Sequence, residues 1–222
     1  MRSLLNAAVV TIVLLSIAVT LGGCGQPAAP FDGSGSLAPA GARSQEPHFD
    51  GVTATGLAAP NFVLHDQHGR LVSLSGERGR YVVITFLYTH CPDVCPLIAS
   101  ALNEALRELG SARRNVRVLA VSVDPKRDTP AAVRRFISAH RLLPQFLYLT
   151  GTLEQLEPIW REYHVASTKG EHGVVVGHTA IELLLDPQGK PRLLFDSHIT
   201  ARDLLQGLGT VALADASGCG SC

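Results

Sequence analysis

The stretch Tyr88-Thr89-His90-Cys91-Pro92-Asp93-Val94-Cys95-Pro96 sets two thiols four positions apart, each followed by a proline, with an imidazole just ahead of the first. Three chemistries are open to such a pair: a structural disulfide, a redox dithiol, or half of a metal site. Four positions in a tight loop fall within disulfide reach. Closing so short a loop removes little entropy from the unfolded chain, so a staple there would stabilise little. The usual redox dithiol has two residues between its sulfurs, whereas Pro92, Asp93 and Val94 separate these. Two thiolates favour soft ions, above all Cu(I), and a neutral imidazole extends such a site to Cu(II). A metal reading therefore needs a histidine.

Nine histidines compete. His90 adjoins Cys91, but neighbouring side chains of an extended strand point to opposite faces, which makes it a supporting residue rather than a ligand. His48 lies in a Gly/Pro-rich stretch, His65 and His68 in a hairpin, and His140 and His164 at helix ends, where solvated or capping roles suffice. His172 and His178 lie in or beside the glycine-bounded loop Thr168 to Gly177. His178 opens the expected strand Thr179 to Leu185, where a sheet would hold it rigidly while the loop folds over the cysteines. It is the better ligand.

The elements that position these residues follow from local pattern. Asn61 to Leu64 and Leu71 to Leu74 flank the turn Asp66-Gln67-His68-Gly69, which predicts a hairpin. Tyr81 to Leu87 is an unbroken β-branched and aromatic run, as expected of a strand buried on both faces. Starting at Pro96, where the missing N–H is harmless, a helix capped by Cys95 runs to about Leu109 and stops at Gly110. Then come a strand from Val116 to Val123, a helix with Thr129 as cap and Pro130 first, and a strand from Phe146 to Leu149. A helix from Thr152 to about His164 follows, then two strands, Thr179 to Leu185 and Arg192 to Phe195, around the turn Asp186 to Gly189. A helix from Ala201 closes the domain. Alternating strands and helices with a late antiparallel hairpin give an α/β domain with a central mixed β-sheet flanked by helices.

Residues 1–23 carry one positive charge at Arg2, an apolar run from Leu4 and small residues before Cys24, the layout of an export signal. Leu21-Gly22-Gly23-Cys24 resembles a bacterial lipobox, whose cysteine is acylated. An uncleaved membrane anchor is the other reading of a run of about 20 apolar residues, and both place the rest of the chain outside the cytoplasmic membrane. Residues 24–54 are rich in Gly, Ala, Pro and Ser without apolar periodicity and read as a flexible tether. Residues 55–214 form the α/β domain, and 215–222 a cysteine-containing tail. Lys plus Arg equals Asp plus Glu at 19 each, so no net basic field is present to hold nucleic acid.

A dithiol where a buried strand meets a helix resembles thioredoxin, since helix N-termini favour thiolate. Phe86 to Pro96, Val121 to Pro130, and Gly177 to Ala180 with Leu185 to Gly189 together resemble the Sco/SenC family of copper-binding, thioredoxin-like proteins, over about Ala59 to Leu208. The resemblance implies one copper ion held by Cys91, Cys95 and His178. It also implies delivery of copper to the binuclear copper site of cytochrome c oxidase subunit II, reduction of that site's cysteines, or both. Gly177-His178-Thr179 stands where the thioredoxin fold usually sets a cis-proline, so a ligand replaces a substrate clamp. Asp124 and Asp128 match a family motif. Physically they need be only a turn residue and part of a helix cap, while Asp124 and His90 are the candidates to hold the ligands from behind. Cys219-Gly220-Ser221-Cys222 departs from the family pattern and reads either as a solvated tail or as an auxiliary dithiol that captures copper or reduces Cys91–Cys95. Two other functions compete. A thiol–disulfide oxidoreductase serving exported proteins would need no stable metal, and a thiol peroxidase would need an activating polar group that nothing beyond the fold supplies.

Overall fold

The chain divides into two units, Met1–Ser44 and Gln45–Cys222. The computed structural model describes residues 51–170 and 175–218, all within the second unit. Cys24, His172, Cys219 and Cys222 lie outside the described residues. No helix among the described residues is long and apolar enough to cross a membrane.

Six strands form the main sheet in the order β1-β10-β9-β4-β5-β6. Strands β4 (Tyr81–Leu87), β5 (Val116–Ser122) and β6 (Phe146–Leu149) run parallel. Strands β9 (Ile181–Leu185), β10 (Pro191–Asp196) and β1 (Val52–Thr53) are antiparallel to their neighbours. The central mixed sheet is thus as expected, and β4, central and flanked by β5 and β9, has the unbroken burial that its unbroken apolar run predicts. Strand β1 lies inside the stretch read as tether, where Val52 and Thr53 pair with Leu194 and Leu193.

The expected hairpin is β2 (Val63–His65) against β3 (Leu71–Ser73). Its turn is fixed by Asp66, whose Oδ1 accepts from the amides of His68 and Arg70 at 2.8 and 2.9 Å while Gly69 adopts φ +78°. Asp186 repeats the device between β9 and β10, accepting from Gln188 and Lys190, with Gly189 at φ +77°.

Among the described residues, four α-helices accompany the strands. Helix α2 (Pro130–Ala139) begins as expected, with Thr129 Oγ1 accepting from Ala132. Helix α3 (Leu153–Glu162) begins at Thr152 in a reciprocal capping box with Gln155. Helix α4 spans Ala201–Gly218 and packs beside α1 (Val94–Glu108). On α1, Ile98, Leu102 and Leu106 recur every fourth residue and are no more than 1% exposed, each worth about 1.5–3 kcal/mol of burial.

Helix α1 corrects one expectation. It starts at Val94 with Asp93 preceding it, so Pro96 is the third helical residue and Cys95 lies inside the first turn rather than capping it. The first-turn amides have no intrahelical acceptor in any case, so proline is tolerated there as well.

Candidate metal centre

Strand β4 delivers the cysteine loop from the middle of the sheet, and helix α1 takes it away. Within that junction the sulfur of Cys91 takes on the capping role, accepting from the amide of Cys95 at 3.4 Å. Burial pushes the Cys91 thiol up, but the Cys95 and Asp93 amides outweigh it, so the thiol lies below its ordinary range. Cys95 is fully buried, and burial pushes its thiol far up. Both are free thiols. The pair is therefore asymmetric: one thiol inclined to ionise at the mouth, one held protonated beneath it.

His178 reaches this pair by a route other than the expected one. It does not open the strand that follows; it closes β8 (Val175–His178), which pairs with β7 (Ser167–Lys169) in a separate two-stranded ribbon. Strand β9 begins only at Ile181 because Thr179 is committed elsewhere: its amide donates to Ala166 O at 2.8 Å, and its carbonyl accepts from His178 Nδ1 at 2.8 Å. With the proton on Nδ1, the lone pair of Nε2 faces Cys95 Sγ at 3.5 Å. Burial lowers the pKa of His178, which keeps the ring neutral and able to ligate.

The donors fit a metal. With bonds of about 2.0 Å to nitrogen and about 2.3 Å to sulfur at a tetrahedral angle, two ligands on one ion stand about 3.5 Å apart, the separation found between Nε2 and Sγ. Among the described residues no three His, Cys, Asp or Glu side chains form a ready-made cage.

The remaining predicted residues fall behind or outside this cluster. Asp124 is buried and pairs with Arg127, whose Nη2 donates to Val175 O at 2.9 Å in the strand that carries His178. The same guanidinium lies 5.9 Å from the centroid of the Tyr88 ring, and Tyr88 meets the His178 ring edge-on at 5.7 Å. Asp124 thus tethers the histidine ribbon through Arg127. His90 is exposed and its Nδ1 lies 3.0 Å from Thr89 Oγ1, with no bond to either sulfur.

Two residues passed over in the sequence, Tyr88 and Arg127, matter here, and so does Asp128, which was read only as part of a helix cap. Tyr88 is buried, and its phenol is pushed up to about 12, first by burial and then by its bond to Cys91. Arg127 is the link just described. Asp128 does not cap the next helix, since Thr129 does. Its carboxylate turns back under the cysteine loop and accepts from Thr89 N at 2.8 Å, Thr89 Oγ1 at 2.7 Å, Ser122 Oγ at 2.6 Å and Tyr148 OH at 2.9 Å. Burial raises its pKa. All three sit inside the quoted motifs, which was the only signal available.

Comparison with known proteins identifies the family. The sequence profile of the SCO1/SenC family matches residues 51–212. The mitochondrial SCO2 homolog of Bos taurus is 32% identical over 168 residues, covering 73% of this chain and 61% of that protein, so the match spans less than two thirds of the relative's length. The structure of Bradyrhizobium japonicum ScoI with copper bound superimposes with a TM-score of 0.61 at 32% identity, over 68% of this chain and 97% of that one. The apo Sco1 protein of Thermus thermophilus gives 0.63 at 30% identity, over 74% of this chain and 97% of that one. The fold is thioredoxin-like, with the mixed sheet and flanking helices these neighbours share.

Proposed function

The chain belongs to the SCO1/SenC family, and from that premise we propose that it is a copper chaperone, lipid-anchored through Cys24 at the extracytoplasmic face of the bacterial cell membrane. It holds one copper ion through Cys91, Cys95 and His178 and supplies it to the binuclear copper site of cytochrome c oxidase subunit II. The observation that carries this reading is the approach of His178 Nε2 to Cys95 Sγ with Nδ1 already committed to Thr179. A histidine brought over a buried thiol in its ligating tautomer supplies the nitrogen donor that copper takes and that dithiol exchange does not require. The copper-bound relative supports the choice of ion.

The residues divide the work. Cys91, at the mouth and inclined to ionise, is first to meet an incoming ion and first to yield to a client thiolate. Cys95 holds from below. His178 adds the nitrogen that a divalent ion prefers. Three donors leave a coordination position for the client's own ligand, so the cargo can change hands without being released. Oxidation of the two thiols to a disulfide abolishes the site.

A second reading is favoured by the asymmetry of the thiols. A lowered Cys91 at a helix N-terminus above a buried Cys95 is also the arrangement of an attacking thiol and its resolving partner, which suits a reductase of oxidase cysteines. To separate the two, copper is loaded anaerobically and counted per chain in a Cys219→Ser/Cys222→Ser background, with Cys91→Ser and His178→Ala added singly. One equivalent that depends on Cys91 as Cu(I), and on His178 after oxidation to Cu(II), is expected of the chaperone. No retained copper with both thiols reactive would establish the reductase instead.

A further inference from the structure

Arg70, Arg80, Arg117, Arg127 and Arg192 each pair with a carboxylate of this chain. The arginines of helix α2 do not. That helix contains no acidic residue, and Arg134 and Arg135 on it and Arg141 just after it are exposed, with no side-chain bond or ion pair among the described residues. Between α2 and the cysteine loop lies a cavity of about 280 Å³. Phe136, 5% exposed, gives it an apolar floor, and the ring of His140 packs on that of Phe136 with centroids 4.5 Å apart. Its ionisable lining is Arg135, His140 and His90. Thr89 lines it too, donating from Oγ1 to Asp128 at 2.7 Å and accepting from His90 Nδ1 at 3.0 Å, which fixes that imidazole at the rim. No carboxylate among the described residues lines the cavity. Asp128 is buried beneath Thr89 with both oxygens engaged, and Asp93, two residues past Cys91, is exposed and is not part of the wall. The cavity therefore offers an unanswered cation beside an apolar floor, and Cys91 follows its His90 directly, about 3.8 Å on from Cα to Cα.

We propose that this cavity docks an acidic segment of the protein whose cysteines Cys91 serves. A glutamate of that partner lays its methylenes on Phe136 and brings its carboxylate to the guanidinium of Arg135, whose planar fork suits two parallel hydrogen bonds. An extended chain advances about 3.3–3.6 Å per residue, so a partner thiol about three residues from the anchoring glutamate comes to Cys91. Opposite charges also steer the encounter before contact is made. A flat anionic membrane on this face would cover the mouth at Cys91, whereas a narrow acidic segment leaves it open to the thiol that follows. The docking rests on Cys91 being the sulfur that meets the partner, which the copper-transfer and reductase readings share.

The test uses the full chain carrying Cys24→Ser, reduced and copper-free, with two fluorescently labelled peptides. One has three glutamates ahead of a serine in the place of the partner's cysteine, and the other has glutamines instead, so that no thiol chemistry contributes. At low salt, anisotropy should give the glutamate peptide about fivefold the affinity of the glutamine peptide, the upper range for a partly exposed charge pair. Raising the ionic strength beyond about 0.15 M, where the screening length is about 8 Å, should shrink the difference. Arg135→Gln should abolish it, while Arg114→Gln, which removes the same charge just before the start of β5 and so at the other end of the sheet, should keep it. Equal affinities for the two peptides, or the same loss in both variants, would overturn the proposal, as would Arg135-dependent capture by phosphatidylglycerol vesicles without a peptide preference. Cysteine-bearing peptides then separate docking from cargo: a glutamate preference in binding with no copper passed on from the Cu(I)-treated chain upholds the docking and removes the chaperone reading.

Discussion

Replacing Arg127 with glutamine tests whether His178 is held in place from behind. Arg127 pairs with Asp124, donates to Val175 O at 2.9 Å in the histidine strand, and lies over the Tyr88 ring. The side chain of Asp124 is 4% exposed. Without its cation that carboxylate is a buried unpaired charge, a cost of about 3 kcal/mol or more. At about 2–4 °C per kcal/mol for a domain of this size, the unfolding midpoint should fall by roughly 6–12 °C. The effect at the metal is separate. A hydrogen bond from a charged group is worth about 1.5–3 kcal/mol and the ring contact about 0.5–1 kcal/mol. If that is what holds the ribbon over the cysteines, Cu(II) binding weakens about 30- to 700-fold. Cu(I), held chiefly by two thiolates, changes by less than about threefold. Competition with chelators selective for each oxidation state, alongside thermal unfolding, measures all three quantities. The double variant Asp124→Asn/Arg127→Gln removes the orphaned charge, so it should regain most of the midpoint without regaining Cu(II) affinity. Unaltered Cu(II) affinity in Arg127→Gln, or its recovery in the double variant, would refute the tether.

The two thiols should also titrate apart: graded-pH alkylation is expected to label Cys91 below about pH 8.5, the ordinary thiol value, while Cys95 stays unmodified, and equal labelling would contradict the asymmetry. In Cys91→Ser the surviving thiol, raised by burial, binds its proton more tightly folded than unfolded. Its contribution to stability is therefore complete below about pH 8.5 and lost as pH climbs above it, which urea midpoints at neutral and alkaline pH would show. Asp128→Ala leaves the Thr89 amide and the Ser122 and Tyr148 hydroxyls without their acceptor, and at about 1–3 kcal/mol for each buried group it should destabilise by at least about 3 kcal/mol. Asp128→Asn, which keeps an acceptor oxygen, should cost less, and an Asp128→Ala variant as stable as the parent in urea would show that this carboxylate does not secure the cysteine loop.

Much of the fold was legible because its signals are local. The unbroken run of β4, the threonine cap of α2, and the two Asp-x-x-Gly turns act within a few residues of themselves, so reading along the chain finds them. The start of α1 was misplaced because its capping acceptor is the sulfur of Cys91, which no propensity rule anticipates. His178 was misassigned to the following strand because the bonds that detach Thr179 from that strand run to Ala166 and to the imidazole itself.

By itself, the sequence determined the donor types and an alternation of strands and helices that places a dithiol where a central strand gives way to a helix. Only the tertiary structure decided which histidine meets those thiols, since Cys95 and His178 are 83 residues apart and adjoin only once a separate ribbon has been folded over the sheet. It also decided that Arg127 secures that ribbon and that Asp128 lies beneath the loop instead of capping a helix. Each of these depends on long-range pairing, in which a residue's role is set by what packs against it and not by its neighbours in the chain.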